Sequence, residues 1–193
     1  MERKRQILTI PNILSMVRIL LIPIIVWLYV SEENYIWAGC LLLISGTTDV
    51  VDGFIARKFN MISELGKVLD PIADKLTQGI VLICLLKRFP LMWLPFGMMV
   101  LKETFMSVSG VQVIRSTGKV ISADWHGKAA TVLLYVTMLV HLFWGDIPQT
   151  QSALFIGATM VMIAISFFLY GRDNVLALKK ARQERKKQTA THA

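Results

Sequence analysis

Four aspartates set among long apolar runs are the residues through which this chain could do chemistry. Asp49, Asp52, Asp70 and Asp74 lie in the stretch DVVDGFIARKFNMISELGKVLDPIAD, with the pattern D-x2-D-G-x2-A-R-x8-G-x3-D-x3-D. On helices, Asp49 and Asp52 are i,i+3 and Asp70 and Asp74 are i,i+4, so each pair shares one face. Charged groups at membrane depth are costly and face a polar cavity, a partner or an ion pathway. Four carboxylates brought together repel one another unless cations hold them. Two opposed acidic faces would therefore form an oxygen-rich pocket suited to a hard divalent ion such as Mg2+. A cation transporter or a non-catalytic membrane scaffold could use the same carboxylates. Neither needs the Gly53, Ala56 and Arg57 that complete the pattern.

The spacing of small residues supports a docking lane. Asp49, Asp52, Gly53 and Ala56 fall at i, i+3, i+4 and i+7, one helical stripe. Gly53 leaves backbone bare beside Asp52, so a flat or phosphorylated group can approach, and Ala56 keeps the lane clear. Gly39, Gly46 and Gly53 recur every seven residues, which predicts close packing of a neighbouring helix. In the next segment Gly66, Asp70, Ala73, Asp74 and Thr77 form the polar or small face, and Pro71 is tolerated near a helix start.

The elements that carry these residues read as membrane helices. The chain has 193 residues and is 54% hydrophobic, with a mean hydropathy of +0.56, too apolar for an ordinary soluble domain. Roughly 20 apolar residues cross a hydrocarbon core. About six such segments are predicted: Ile13–Val30, Ile36–Ala56, Leu69–Leu86, Leu91–Val113, Ala129–Trp144 and Ala153–Tyr170. The fold class is an all-α integral membrane protein, and the resemblance given below implies a metal and nucleotide site on its cytoplasmic side. A membrane domain is expected over residues 1–178 and a basic cytoplasmic tail, disordered at its end, over 179–193. No cleavable signal peptide is expected.

Lys and Arg give the orientation. Arg3, Lys4, Arg5, Arg57, Lys58, Lys67, Arg115, Lys119, Lys128 and the basic tail fall on one side, against only Lys87 and Arg88 on the other. Both termini are therefore expected in the cytoplasm. The basic balance is accounted for by topology and anionic lipid, and no nucleic-acid partner is expected. Cys40 and Cys84 stand alone and read as inert buried thiols.

These residues resemble a known family. The stretch Asp49 to Asp74 is similar, with no position missing, to the signature of the CDP-alcohol phosphatidyltransferases. Thr9-Ile10-Pro11-Asn12-Ile13-Leu14, with Arg18 beyond it, resembles the amino-terminal segment of their glycerophospholipid branch. The resemblance implies a homodimer with two divalent ions, Mg2+ or Mn2+, at the cytoplasmic face of a bacterial cell membrane. It implies CDP-diacylglycerol as donor and CMP as leaving product. By the same resemblance Asp49, Asp52, Asp70 and Asp74 ligate the metals, and Asp74 also accepts the alcohol proton. Gly53 and Ala56 leave room for the nucleotide, Arg57 pairs with its phosphates, Gly66 lets the metal-bearing helices approach, and Asn12 lies near the nucleotide.

Two acceptors are consistent with that reading. Transfer onto glycerol 3-phosphate would give phosphatidylglycerophosphate; transfer onto phosphatidylglycerol would give cardiolipin. The first is the main expectation, with Lys102, Arg115, Lys128 and Thr131 as acceptor-binding residues, in a region that also holds Ser122 and His126. Gly127-Lys128-Ala129-Ala130-Thr131 resembles the G-K-x-K-T stretch of phosphatidylglycerophosphate synthases, with Ala130 in place of the second lysine. Gly110 falls where those enzymes tend to carry an arginine, and fewer basic groups suit a phosphate monoester less well. Four further residues have open roles. Arg18 either reaches the acceptor or an anionic lipid, or snorkels to the interface; Lys75 either balances Asp74 or snorkels. Glu103 needs a partner, expected to be Arg57 or Lys128, because Lys102 points elsewhere on a helix. His141 is expected to be structural.

Overall fold

Thr9 and Pro11 set the start of the first helix. Thr9 is extended (φ −103°, ψ 154°), its Oγ1 accepts from the Asn12 N–H at 3.5 Å, and Pro11 occupies the first turn, where an N–H would have no helical partner. The computed structural model describes residues 9–58, 66–117 and 125–191, except for the side chains of Ile10, Ala56, Arg57, Lys67, Val68, residues 115–117 and residues 180–191. Arg3, Lys4, Arg5, Lys119, Ser122 and the side chains of Lys67 and the tail lie outside that description.

Among the described residues six α-helices follow in order: α1 Ile10–Val30, α2 Tyr35–Lys58, α3 Gly66–Leu85, α4 Trp93–Thr117, α5 Trp125–Phe143 and α6 Gln149–Thr191, with a 3-10 turn at Pro90–Met92. Among the described residues there is no strand. Among the described residues four segments are long and apolar enough to cross a membrane: Pro11–Val30, Tyr35–Ile55, Trp125–Phe143 and Gln149–Lys179. Helices α3 and α4 have the length, 20 and 25 residues, since about 20 residues at 1.5 Å each span the hydrocarbon core. Charged residues lie along both: Asp70, Asp74 and Lys75 on α3, Lys102 and Glu103 on α4. The tail departs from expectation. Helix α6 continues past the apolar span predicted to end near Tyr170 and into the tail, whose end is expected to be disordered, and runs 43 residues to Thr191. Its Lys, Arg, Gln, Glu and Ala residues are good helix formers, which explains the continuation.

The helices form two compact units. The first contains the described residues of Met1–Trp93 and Tyr135–Ser152, and in it α1 packs against both α2 and α3. Its core includes Ile22, Ile25, Leu42, Leu82, Leu85 and Met138. The second contains the described residues of Leu94–Leu134 and Ala153–Ala193, with Met99, Val113, Leu134, Ile156 and Ile163 buried.

The seven-residue glycine row serves the first unit in two ways. A Cβ at Gly39 would lie 2.8 Å from the Phe143 ring and one at Gly46 would lie 3.5 Å from the Tyr135 ring, so both glycines seat α5 against α2. A Cβ at Gly53 would meet no described atom within 4 Å. The end of this unit away from the aspartates is tied by Arg88, whose Nη2 donates to the Gly145 carbonyl at 3.1 Å and whose guanidinium lies 4.3 Å from the Tyr35 ring centroid. In the turn joining α1 to α2, Glu33 adopts a left-handed φ of 51°.

Polarity is distributed as in a membrane protein. Large apolar side chains such as Leu20, Val50, Phe54, Leu154 and Phe168 face outward, while Ser15, Arg18, Ser45, Thr77, Gln78 and Thr137 are fully enclosed. Water rewards the opposite arrangement; lipid rewards this one, provided the enclosed polar groups find partners. Several do so on their own helix: Ser15 Oγ lies 3.0 Å from the Pro11 carbonyl, and Thr77 and Ser109 hydroxyls donate to Ala73 and Phe105 carbonyls at 2.8 and 2.7 Å.

Candidate active site

Helix α1 brings the two aspartate pairs under common control. Ser15 and Arg18 are i,i+3 and therefore share a face. Arg18 Nη1 lies 2.6 Å from Asp49 Oδ1 and its Nη2 lies 2.5 Å from Asp52 Oδ2, so one guanidinium spans both acids of α2. Ser15 Oγ donates to Asp70 Oδ1 of α3. The guanidinium is wholly buried and Asp52 nearly so, whereas the Asp49 side chain is 42% exposed and opens the cluster to the outside.

Asp74 is held differently. Gln78, one turn along α3, places Nε2 3.0 Å from Oδ1 and 2.9 Å from Oδ2, and the Tyr135 hydroxyl of α5 donates to Oδ1 at 3.0 Å. Lys75 Nζ stands 3.6 Å from Asp74 Oδ2, so of its two sequence-level roles it takes charge balance. The acids also act on one another: Asp49 feels the charges of Asp74 and Asp70, and Asp52 those of Asp49 and Asp70. Two carboxylate pairs from adjacent helices thus occupy one electrostatic neighbourhood, as the spacing predicts.

Among the described residues, no three carboxylate, imidazole or thiol side chains converge closely enough to grip an ion as they stand. Arg18 draws Asp49 and Asp52 to itself, and Asp70 and Asp74 are turned to Ser15, Gln78 and Tyr135. The donor set nevertheless fits a hard divalent ion. It offers carboxylate oxygens, and the charges of Arg18 and Lys75, which contact Asp49, Asp52 and Asp74, leave the four aspartates with a surplus of negative charge.

The nucleotide candidates divide. Gly53 presents the open side described above. Gly66 is buried as the first residue of α3, and Asn12 is buried in the capped first turn of α1. The side chains of Ala56 and Arg57 lie outside the described residues, although their backbone is the last turn of α2.

The acceptor candidates all belong to the second unit. Lys102 is buried, with Nζ 3.3 Å from Glu103 Oε1. This corrects the expectation that Lys102 points away from Glu103: the long lysine stem curls back to its sequence neighbour, while the Arg57 side chain, an expected partner of Glu103, lies outside the described residues. Lys128 is exposed on α5, and the half-buried Thr131 donates to the Gly127 carbonyl at 3.1 Å. The Arg115 side chain lies outside the described residues. His126 is packed inside, its Nδ1 3.4 Å from Ser166 Oγ and its ring 4.6 Å from that of Tyr170. His141 is structural as expected, with Nδ1 2.7 Å from the Thr137 carbonyl and Nε2 2.8 Å from Ser152 Oγ.

Arg18 is the largest correction. It reaches neither interface nor lipid; two carboxylates within the fold compensate it. Ser15, Gln78 and Tyr135 were missed outright. A signal existed for the first two, which sit i,i+3 from Arg18 and i,i+4 from Asp74. Tyr135 lies 61 residues from its partner, and no local pattern reveals it.

Comparison with known proteins identifies the family to which this membrane helix bundle and its paired aspartates belong. Residues 8–171 match the family CDP-alcohol phosphatidyltransferase, and the chain belongs to that family. It is similar to a CMP-forming cardiolipin synthase from Streptomyces coelicolor, 38% identical over 149 residues that cover 73% of this chain and 68% of the relative. It is similar to a CDP-diacylglycerol–glycerol-3-phosphate 3-phosphatidyltransferase from Bacillus subtilis, 34% identical over 150 residues covering 68% and 77%. A protein of that same name from Rickettsia bellii is 40% identical over 100 residues covering 51% and 55%. The chain thus spans about half the length of several relatives it matches.

Proposed function

We propose that the protein moves the phosphatidyl group of CDP-diacylglycerol to a hydroxyl of glycerol 3-phosphate and releases CMP. The observation that carries this reading is the meeting of the Asp49–Asp52 and Asp70–Asp74 pairs around α1, with the open flank of Gly53 on the same stripe. Asp49, Asp52, Asp70 and Asp74 would hold two divalent ions, Mg2+ or Mn2+, which supply neutralisation of the pyrophosphate and stabilisation of the leaving phosphate. The chain's own residues do the rest. Gly53 and Ala56 admit the nucleotide and Arg57 pairs with its phosphates. Asp74, oriented by Gln78 and Tyr135, takes the proton of the acceptor hydroxyl as its oxygen bonds to the phosphatidyl phosphorus. The bond from that phosphorus to the CMP oxygen breaks, and CMP leaves with the electron pair.

Cardiolipin synthesis is the second reading. Ala130 is only 2% exposed, so the chain has a small buried residue where the resemblance places a second lysine. Fewer basic groups suit a phosphodiester acceptor such as phosphatidylglycerol, and the name of the Streptomyces relative favours the same acceptor. Lys102, Arg115, Lys128 and Thr131 remain the proposed acceptor contacts. The positive-inside distribution supports cytoplasmic termini, and the bacterial relatives support a bacterial cell membrane; homodimerisation rests on the family resemblance.

The test is a product assay. Purified protein is given CDP-diacylglycerol and Mg2+ with either glycerol 3-phosphate or phosphatidylglycerol, and CMP and lipid products are resolved. Phosphatidylglycerophosphate supports the main reading and cardiolipin alone supports the second. No CMP with these or any other polar or lipid alcohol returns the carboxylates to transport or scaffolding.

A further inference from the structure

The Arg18 guanidinium is wholly buried yet poorly satisfied. Of its five N–H donors, the directed contact is from Nη2 to Asp52 Oδ2 at 2.5 Å. Nη1 is 2.6 Å from Asp49 Oδ1 without hydrogen-bond alignment, and Nε has no partner among the described residues. A structural arginine is commonly locked by a bidentate fork. This one is held mainly by charge, between two carboxylates that repel each other. It occupies one oxygen of each and so competes for the pair with any other cation that binds there.

We infer that Arg18 is an internal placeholder cation. It neutralises Asp49 and Asp52 while the site is empty and yields their oxygens when a divalent ion enters, so it lowers the site's metal affinity and keeps the empty site folded. This inference rests on the reading of Asp49 and Asp52 as metal ligands. The charge argument fixes the sign. Removing one partner of a buried ion pair leaves the other uncompensated, so the empty form of an Arg18 variant is destabilised and the metal-bound form is spared. A guanidinium that stayed in place to brace the carboxylates would give the opposite result, because its removal would let the ligands splay.

The experiment uses the full chain in detergent, comparing the parent with Arg18→Gln. Mn2+ binding is measured by titration with paramagnetic-resonance detection of free ion, and thermal unfolding is followed in chelator and in Mn2+. The expected result is Mn2+ binding about ten- to hundredfold tighter in Arg18→Gln, the scale of one lost charge-assisted competitor. It should come with a lower melting temperature in chelator and a larger Mn2+-induced rise than in the parent. Unchanged or weaker Mn2+ binding, or an equal loss of stability with and without Mn2+, overturns the inference. If Arg18→Gln does not fold, Arg18→Lys decides by the same criteria: its ammonium keeps the charge but lacks the planar guanidinium fork that spans both carboxylates here, so tighter binding supports the placeholder and unchanged or weaker binding overturns it. A parent that binds no Mn2+ would instead remove the metal-site reading on which the inference stands.

Discussion

Replacing Tyr135 with phenylalanine isolates one hydrogen bond at the proposed base. The Tyr135 hydroxyl donates to Asp74 Oδ1 at 3.0 Å, and its ring packs against the bare backbone of Gly46, 3.5 Å from where a Cβ would stand. Tyr135→Phe deletes the donor and keeps the ring. Hydrogen bonds to charged groups contribute about 1.5–3 kcal/mol. Gln78 Nε2 still reaches the same Oδ1 at 3.0 Å, so the loss should fall at the lower end. If Asp74 must be oriented to take the acceptor proton, about 1.5 kcal/mol on the barrier is roughly a tenfold fall in kcat. KM for CDP-diacylglycerol should change little. Tyr135→Ala also removes the ring and opens a cavity, at about 3–5 kcal/mol of stability for a large aromatic. Kinetics in mixed micelles and thermal unfolding separate the two effects. A Tyr135→Phe protein with parental kcat and a reduced melting temperature would mean the bond is only structural, and the orientation argument would be wrong.

Three further outcomes follow from the same geometry. Asp70→Asn keeps size and removes charge, so turnover at saturating substrate and metal should fall by orders of magnitude, with little rise in KM; near-parental turnover would take Asp70 out of the site. Gly39→Leu should destabilise by about 1–3 kcal/mol by overpacking against Phe143, whereas Gly53→Ala, facing no described atom within 4 Å, should keep the melting temperature and raise KM for CDP-diacylglycerol. Lys128→Ala should raise KM for glycerol 3-phosphate by about ten- to hundredfold while KM for CDP-diacylglycerol stays near its parental value; equal rises in both would dissociate Lys128 from the acceptor.

What could be read from the sequence was local. The aspartate spacings place each pair on one helical face, and Thr9 with Pro11 marks the start of α1. The row at Gly39 and Gly46 marks a helix contact, which is α5 against α2. The row could not say that Gly53 leaves this contact, because that depends on where α5 lies along α2. Arg18 and Asp52 are 34 residues apart, and periodicity carries no information about such pairs. The continuation of α6 was lost to a rule that equates basic, polar tails with disorder, although their helix propensity is high. The Lys102–Glu103 contact is invisible to helical periodicity, because Cβ directions fix only where a side chain starts and a lysine stem is long enough to curl back to its neighbour.

Charge balance would have recovered the central contact without coordinates. Helix α1 carries one charged residue, Arg18, in its 21 positions. It lies eight residues past the helix start at Ile10, about 12 Å along the axis at 1.5 Å per residue. An isolated guanidinium that deep in an apolar segment is costly, and so are isolated carboxylates on the next two helices. In a chain whose first three helices pack together, both penalties are relieved when the opposite charges meet inside, while snorkelling relieves only one. Ion pairing therefore outranks snorkelling whenever unlike charges occur on adjacent spans within reach of a common depth. The same reasoning applies to Lys102 and Glu103, neighbours in the chain, where the pair is again formed within the fold.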